Sequence, residues 1–390
     1  MKAAVYHKPR DIRVEEVPEP WIEQPHDAIL RVTKTAICGS DLHMYNGFIP
    51  QLRPMVLGHE FMGIVEEVGP AVSDLQPGDR VVVPFPIACG RCWFCKHGFP
   101  TQCERSNRDH YGPAGGLVND KGGALFGYTD LYGGYPGGMA ELVRVPYADY
   151  GPLKVPEGLT DEQVLFLTDI LPTGWSAIEW AELQGGETVA VFGCGPVGLM
   201  AQKIAWLRGA GRVIAIDILP YRLEMAHRAA NAEIIDASLV DRPEELVWEW
   251  TEGRGADVVV DAVGLEVDRS SSVLGRVADT LHGQAGTIKA LKTAFKAVRR
   301  GGRVSIVGVY PTDYDNFPLG QIFDKGLTVR AGQALAQRYV GEILGEIEAG
   351  RLVADDIITH RLPLDETPYG FEIFNGKEDG CVKVVMTATP

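Results

Sequence analysis

Four of the seven cysteines, Cys89, Cys92, Cys95 and Cys103, fall within one short stretch at gaps of two, two and seven residues. Thiolates this dense can close a tetrahedral S4 cage around one Zn2+. Disulfide pairing explains them less well, because C-x2-C loops close poorly and nothing at the N-terminus points to an oxidising compartment. A redox pair of thioredoxin type would account for two cysteines only. A cage with four protein ligands leaves no open coordination position. The lobe is therefore read as structural, and the reacting centre is sought elsewhere.

Other metal-capable side chains sit in Ile37-Cys38-Gly39-Ser40-Asp41-Leu42-His43, in Gly58-His59-Glu60, and in Leu167-Thr168-Asp169-Ile170-Leu171-Pro172-Thr173-Gly174. Taken singly, each has an ordinary explanation. Cys38 can be a small buried hydrophobe, His59 a hydrogen-bonded structural residue, and Asp169 the cap of a following helix. Ser40 can be a turn hydroxyl and His43 a surface imidazole. A zinc protease is excluded, because Gly63 stands where H-E-x-x-H needs its second histidine.

A third pattern is Gly193-Cys194-Gly195-Pro196-Val197-Gly198, preceded by the apolar run ETVAVFG and followed by the helical LMAQKIAWL. G-x-G-x-x-G is weak alone, but here it joins a buried strand to a helix. The glycines allow a tight turn and let backbone N–H groups approach a pyrophosphate at the helix N-terminus. Pro196 suits a first helical turn, where no N–H is needed. Asp217 ends the next strand, RVIAID, about 20 residues further on, where its carboxylate can accept from the adenosine ribose hydroxyls. The same charge repels a 2′-phosphate, so NAD is expected over NADP. Arg222 nearby could flank the adenine or partly tolerate NADP. A Rossmann-shaped domain that binds another nucleotide, or nothing, is the competing explanation.

These groups need a frame. At 390 residues, with 45% hydrophobic residues, the chain is long enough for two or three domains with real cores. The formal charge of −15 argues against a nucleic-acid or anionic-membrane partner. The N-terminus lacks a signal-peptide core, and no apolar run reaches the ~18 residues of a membrane span. A cytoplasmic protein acting on small molecules is expected. Residues 1–85 read as short strands broken by Pro and Gly. From about Leu165, strands alternate with helices, which predicts a doubly wound parallel sheet. Residues 107–138, with ten glycines and four tyrosines, read as an aperiodic loop. Residues 266–300 exceed one crossover helix and read as an insertion carrying an extra helix. After LTVRAGQAL, a last helix and strand return to the first domain.

A Rossmann half and a thiolate lobe together resemble the zinc-containing medium-chain alcohol dehydrogenases. The likeness runs essentially from end to end, on the stretches quoted above. It implies an α/β protein with a GroES-like β-rich catalytic domain (1–170 and 337–390, lobe 89–103) and an NAD-binding Rossmann domain (171–336). It implies two zinc ions per chain, one structural and one catalytic. Cys38, His59 and Asp169 match the catalytic ligands, with Asp169 where the family's second cysteine belongs. Zn2+ accepts carboxylate oxygen, and losing a soft donor should leave it a harder Lewis acid. Glu60 matches a carboxylate that approaches the metal as an occasional fourth ligand. Such a metal lowers the pKa of an alcohol while hydride passes to nicotinamide. Ser40 matches the hydroxyl that takes the proton, and His43 the outer base that delivers it to solvent, a duty suited to an unperturbed imidazole. Thr173 matches a nicotinamide contact and Phe85 a substrate-pocket aromatic. The family implies a homodimer or homotetramer built by extending the central sheet.

Cys38-Gly-Ser-Asp-Leu-His43-Met, Val83-Pro-Phe-Pro-Ile-Ala-Cys89-Gly-Arg-Cys92, Val145-Pro-Tyr-Ala-Asp149 and Thr168-Asp-Ile-Leu-Pro-Thr-Gly174 look closest to the glutathione-independent formaldehyde dehydrogenase branch. The expected substrate is a primary alcohol or a small aldehyde hydrated to a gem-diol. A polyol or threonine-type secondary-alcohol dehydrogenase is the alternative within the superfamily. A non-catalytic zinc-lobe interaction protein is the remote one. Metal content separates them, because the enzyme needs two zinc ions.

Overall fold

The computed structural model describes residues 1–107, 122–264, 288–310, 314 and 317–389. The chain divides into two compact units, Met1–Pro172 with Leu335–Pro390, and Thr173–Ala334. No described helix is long and apolar enough to cross a membrane.

The first unit is built on a mostly antiparallel sheet. Its strands run in the order Leu153–Lys154, Arg80–Val83, Glu60–Val68, Ala28–Ala36, Val384–Thr387 and His360–Pro363, and Leu142–Val145 also pairs with Ala28–Ala36. The strands are rich in Val, Ile and Ala, which fit a pleated surface buried on one or both faces. Leu30, Val32, Phe61, Val65, Val81, Val83 and Val143 form one core cluster. Register matters here. Ala36 lies opposite Glu60, and Val385 lies opposite Ala36. The ends of three strands therefore deliver Cys38, His59–Glu60 and Lys383 to one edge of the sheet.

The cysteine lobe is a separate small cluster. A one-turn helix, Trp93–Lys96, has Cys92 at its N-cap, where the sulfur accepts from the Cys95 N–H. The following tight turn, Pro100–Gln102, ends at Cys103. From the 107–138 segment, residues 108–121 lie outside the described residues. The remainder is not structureless. It holds the short strand Ala124–Leu125, paired with Pro86–Ile87, and a tight turn at Asp130–Tyr132.

The second unit is a six-stranded, wholly parallel sheet in the order Glu233–Asp236, Arg212–Asp217, Thr188–Phe192, Ala256–Asp261, Val298–Ile306 and Thr328–Ala331. The first strand in sequence is central and the order reverses beside it, the doubly wound Rossmann arrangement. Three of its helices, Pro196–Leu207, Pro220–Ala230 and Pro243–Trp250, begin with proline, whose missing N–H is no loss there. Of the expected 266–300 insertion, residues 265–287 lie outside the described residues. The described part carries the helix Lys289–Ala297, which packs Leu291, Ala294 and Phe295 into the sheet core as an ordinary crossover helix does.

Candidate active site and metal centres

Cys38 follows the strand Ala28–Ala36, and His59 immediately precedes Glu60–Val68. Asp169 closes the tight turn Phe166–Thr168, which the Phe85 N–H holds through a 2.8 Å hydrogen bond to the Thr168 carbonyl. These three elements converge. The Cys38 thiol donates to Asp169 Oδ2 at 3.1 Å, and His59 Nε2 lies 3.2 Å from the same oxygen. One ligand atom from each of Cys38, His59, Glu60 and Asp169 lies within 4.8 Å of all the others, and all four residues are buried.

Burial pushes the Cys38 thiol up to about 12, with the Asp169 charge adding to the effect. For His59, burial opposes the charged ring, but Asp41, Cys38 and Asp169 outweigh it and raise its pKa well above the ordinary value. Buried acidic side chains gathered this closely need a compensating positive charge. A divalent cation fits the same place, since sulfur, imidazole nitrogen and carboxylate oxygen are all zinc donors. Glu60 Oε2 is buried and has no hydrogen-bond partner among the described residues, as a carboxylate available to a cation would be.

Two residues escaped sequence reasoning. Asp41 is fully buried, accepts from the Cys38 N–H at 2.9 Å, and brings its other oxygen to 3.1 Å from His59 Nδ1. A carboxylate behind the non-ligating nitrogen fixes the ring and its tautomer. Its signal was present in the sequence: an acid three residues beyond a candidate ligand, inside a quoted motif. Lys383, also fully buried, donates to Glu60 Oε1 at 2.6 Å and to the Ile37 carbonyl at 3.0 Å. Its signal was faint, a lysine inside the apolar run CVKVVMTA.

Ser40 Oγ lies 3.2 Å from His59 Nε2, beside the cluster. His43 sits on the short helix Asp41–Tyr45. Its imidazole is not unperturbed as expected. Burial pushes it down to about 4, against an opposing pull from Asp41, and Nδ1 has no partner among the described residues. A partly buried ring without an acceptor resists protonation. Phe85 stands edge-on to His59, with ring centres 6.3 Å apart.

Cys89, Cys92, Cys95 and Cys103 are likewise buried, with their sulfurs within 4.8 Å of one another. None of the seven cysteines, all among the described residues, forms a disulfide. Cys103 is lowered to about 4, chiefly because the Cys95 thiol donates to it, with help from the backbone N–H groups of Arg105 and Cys89. Four converging, buried sulfurs fit a closed tetrahedral zinc site.

In the parallel sheet, Gly193 has φ +92°, and a Cβ on Gly198 would stand 1.8 Å from the Gly193 carbonyl oxygen. Only glycine permits that turn. Gly195 caps the helix that opens with Pro196 and Val197. Asp217 Oδ2 accepts from the Cys194 N–H at 2.7 Å, and Oδ1 accepts from Ile218 and Leu219 at 2.7 and 3.0 Å. The carboxylate is thereby fixed against the glycine loop. Arg222 approaches Gly195, and Thr173 is buried in the helix Ile170–Trp180.

A Rossmann sheet with its glycine loop, a β-rich unit holding an S/N/O cluster, and a four-cysteine lobe define a class, the two-unit zinc oxidoreductases. Residues 24–157 match the alcohol dehydrogenase GroES-like domain model, and residues 196–275 match the zinc-binding dehydrogenase model. The chain is 45% identical over 389 residues to the uncharacterized zinc-type alcohol dehydrogenase-like protein AdhB of Bacillus subtilis, covering 99% of this chain and 100% of that one. It is 33% identical over 406 residues to a glutathione-independent formaldehyde dehydrogenase of Pseudomonas aeruginosa, covering 96% and 94%. Among solved structures, the alcohol dehydrogenase TADH from Thermus sp. ATN1 superposes with a TM-score of 0.84 at 39% identity, covering 99% of each chain. The chain belongs to the zinc-containing alcohol dehydrogenase family.

Proposed function

We propose that this protein oxidises a small primary alcohol, or a small aldehyde presented as its hydrate, with NAD as hydride acceptor. The observation that supports this most directly is the buried convergence of Cys38, His59 and Asp169 within 3.1–3.2 Å contacts. Those three residues would hold the catalytic zinc, with Glu60 as an occasional fourth ligand, and the four lobe cysteines the structural one. When bound, zinc supplies Lewis acidity toward a substrate oxygen and NAD supplies a hydride acceptor.

The chain's own residues do the rest. Asp41 orients His59, and Asp169 and Cys38 keep the centre anionic enough to retain a dication. Ser40 Oγ, next to His59 Nε2, is the hydroxyl that accepts the substrate proton. His43 is the group that passes it outward, a duty against which its pushed-down pKa works, since burial makes the ring a poor acceptor. Gly193, Gly195 and Gly198 leave room for the pyrophosphate, and Thr173 meets the nicotinamide side. Asp217 binds the adenosine ribose and disfavours a 2′-phosphate, with Arg222 flanking the adenine.

A homodimer or homotetramer accompanies this reading. The edge strand Thr328–Ala331 pairs on one side only among the described residues, and nearby Leu319 and Phe323 are 68% and 86% exposed. The test is a panel of ethanol, longer primary alcohols and formaldehyde with NAD and NADP, scored by reduced cofactor at 340 nm on zinc-loaded protein. NADH from at least one of them is expected. Failure to reduce NAD with all of them would overturn the reading.

A further inference from the structure

Tyr128 is 6% exposed, and its hydroxyl has no hydrogen-bond partner among the described residues. Its ring stands edge-on to His59, with centres 6.0 Å apart and planes at 81°, and it leans on Tyr132 at 5.9 Å. Its charge environment is that of the candidate metal cluster, since His59, Asp41 and Cys38 all act on it electrostatically.

The backbone on both sides is fixed. Gly127 donates to the Tyr135 carbonyl at 2.9 Å and accepts from the Gly58 N–H at 3.3 Å, next to His59 itself. A Cβ on Gly127, which has φ +48°, would come within 2.5 Å of Gly58 N and O. After Tyr128, Thr129 Oγ1 donates to the Pro50 carbonyl at 2.7 Å, and Asp130 is held by Arg53 at 2.9 Å. An unmatched buried hydroxyl is costly, and phenylalanine would fill the same space without that cost. A molecule entering the site is the partner that resolves the mismatch. Ser40 Oγ already stands at the His59 Nε2 side, where the reacting oxygen is handled. The Tyr128 ring borders the same His59 side chain, and its unmatched hydroxyl is left without a partner there among the described residues.

We propose that Tyr128 donates a hydrogen bond to a second substrate hydroxyl, on the carbon next to the reacting carbinol, so that the enzyme favours vicinal diols over simple alcohols of equal length. This rests on the dehydrogenase reading above and specifies its substrate class.

The test compares ethanol with ethane-1,2-diol, using full-length zinc-loaded protein and NAD, in wild type and Tyr128→Phe. Wild type should prefer the diol in kcat/KM. The diol-to-ethanol ratio should fall about tenfold in Tyr128→Phe, mainly through KM, as loss of one neutral hydrogen bond predicts. An unchanged ratio, or a wild type that prefers ethanol, overturns the proposal. A second measurement needs no turnover. Ethane-1,2-diol at the same concentration should raise the Tm of wild type more than that of Tyr128→Phe, and equal shifts overturn the proposal. If neither compound reduces NAD, the dehydrogenase reading fails instead, and the Tm comparison still decides whether Tyr128 holds the second hydroxyl.

Discussion

Lys383 Nζ donates to Glu60 Oε1 at 2.6 Å with both side chains at 0% exposure. The pair exists because Val384–Thr387 and Glu60–Val68 flank the strand Ala28–Ala36. A buried carboxylate is tolerated only with its partner, so removing one half is worse than removing both. Lys383→Met should lower stability by about 3–5 kcal/mol. Lys383→Met combined with Glu60→Gln should recover more than half of that loss. Urea unfolding of the three proteins checks this, and equal stability of the single and double variants would mean that the pair contributes packing alone.

Metal content separates the two centres. Wild type should carry two zinc ions per chain. Cys38→Ala should carry one, with an unchanged circular dichroism spectrum and turnover reduced at least about a thousandfold, the scale on which removal of an essential catalytic group is felt. Cys92→Ser should also carry one, but its principal loss should be Tm, because a structural site contributes folding energy. Atomic absorption beside thermal melts distinguishes these outcomes. A Cys92→Ser protein with wild-type Tm would show that the lobe is not a metal site.

At the cofactor loop, Asp217→Ser should raise KM for NAD and improve the NADP-to-NAD ratio in kcat/KM by about 1–3 kcal/mol, the range for a charge-assisted hydrogen bond. The variant also loses the acceptor of the Cys194, Ile218 and Leu219 N–H groups. A modest fall in Tm should accompany the change. Steady-state constants with both cofactors are the check, and an unaltered ratio would detach Asp217 from cofactor choice.

Acid sensitivity should be traceable to Glu162. Its pKa lies below the ordinary 4.5 because Arg361 hydrogen-bonds the charged form, at 2.7 Å and 3.0 Å. The unfolded chain therefore takes up this proton first as pH falls. The contribution is complete above the unfolded pKa and is lost as pH drops through the folded one. Arg361 is 57% exposed, which limits the pair to about 0.5 kcal/mol after solvent screening. Glu162→Gln should be less stable than wild type at neutral pH, and the gap should close near pH 3. Urea midpoints at both pH values measure it.

Local spacing made much of this legible. The cysteine gaps and the glycine loop each state their geometry within a few residues, and the structure brings Cys38, His59 and Asp169 to a common point. What spacing does not encode is how deeply a group lies or what reaches it from far along the chain. Glu60 and Lys383 are 323 positions apart. His43 was expected to have an ordinary imidazole, but its surroundings push it down to about 4. Tyr128 was one tyrosine among four in an aperiodic segment, and it is marked out by its packing against His59 and its unmatched hydroxyl, neither of which spacing encodes.

The discontinuity of the β-rich unit also sets an order of assembly. Its sheet needs Val384–Thr387 and His360–Pro363 beside Ala28–Ala36, yet the whole of Thr173–Ala334 is synthesised before them. On the ribosome, the nucleotide-type unit has all of its residues in hand while the segment made first still lacks two of its strands. Domains fold as units once their residues have emerged. The half that begins the protein is thus the last to close, and the buried lysine that neutralises Glu60 arrives only with its final strand.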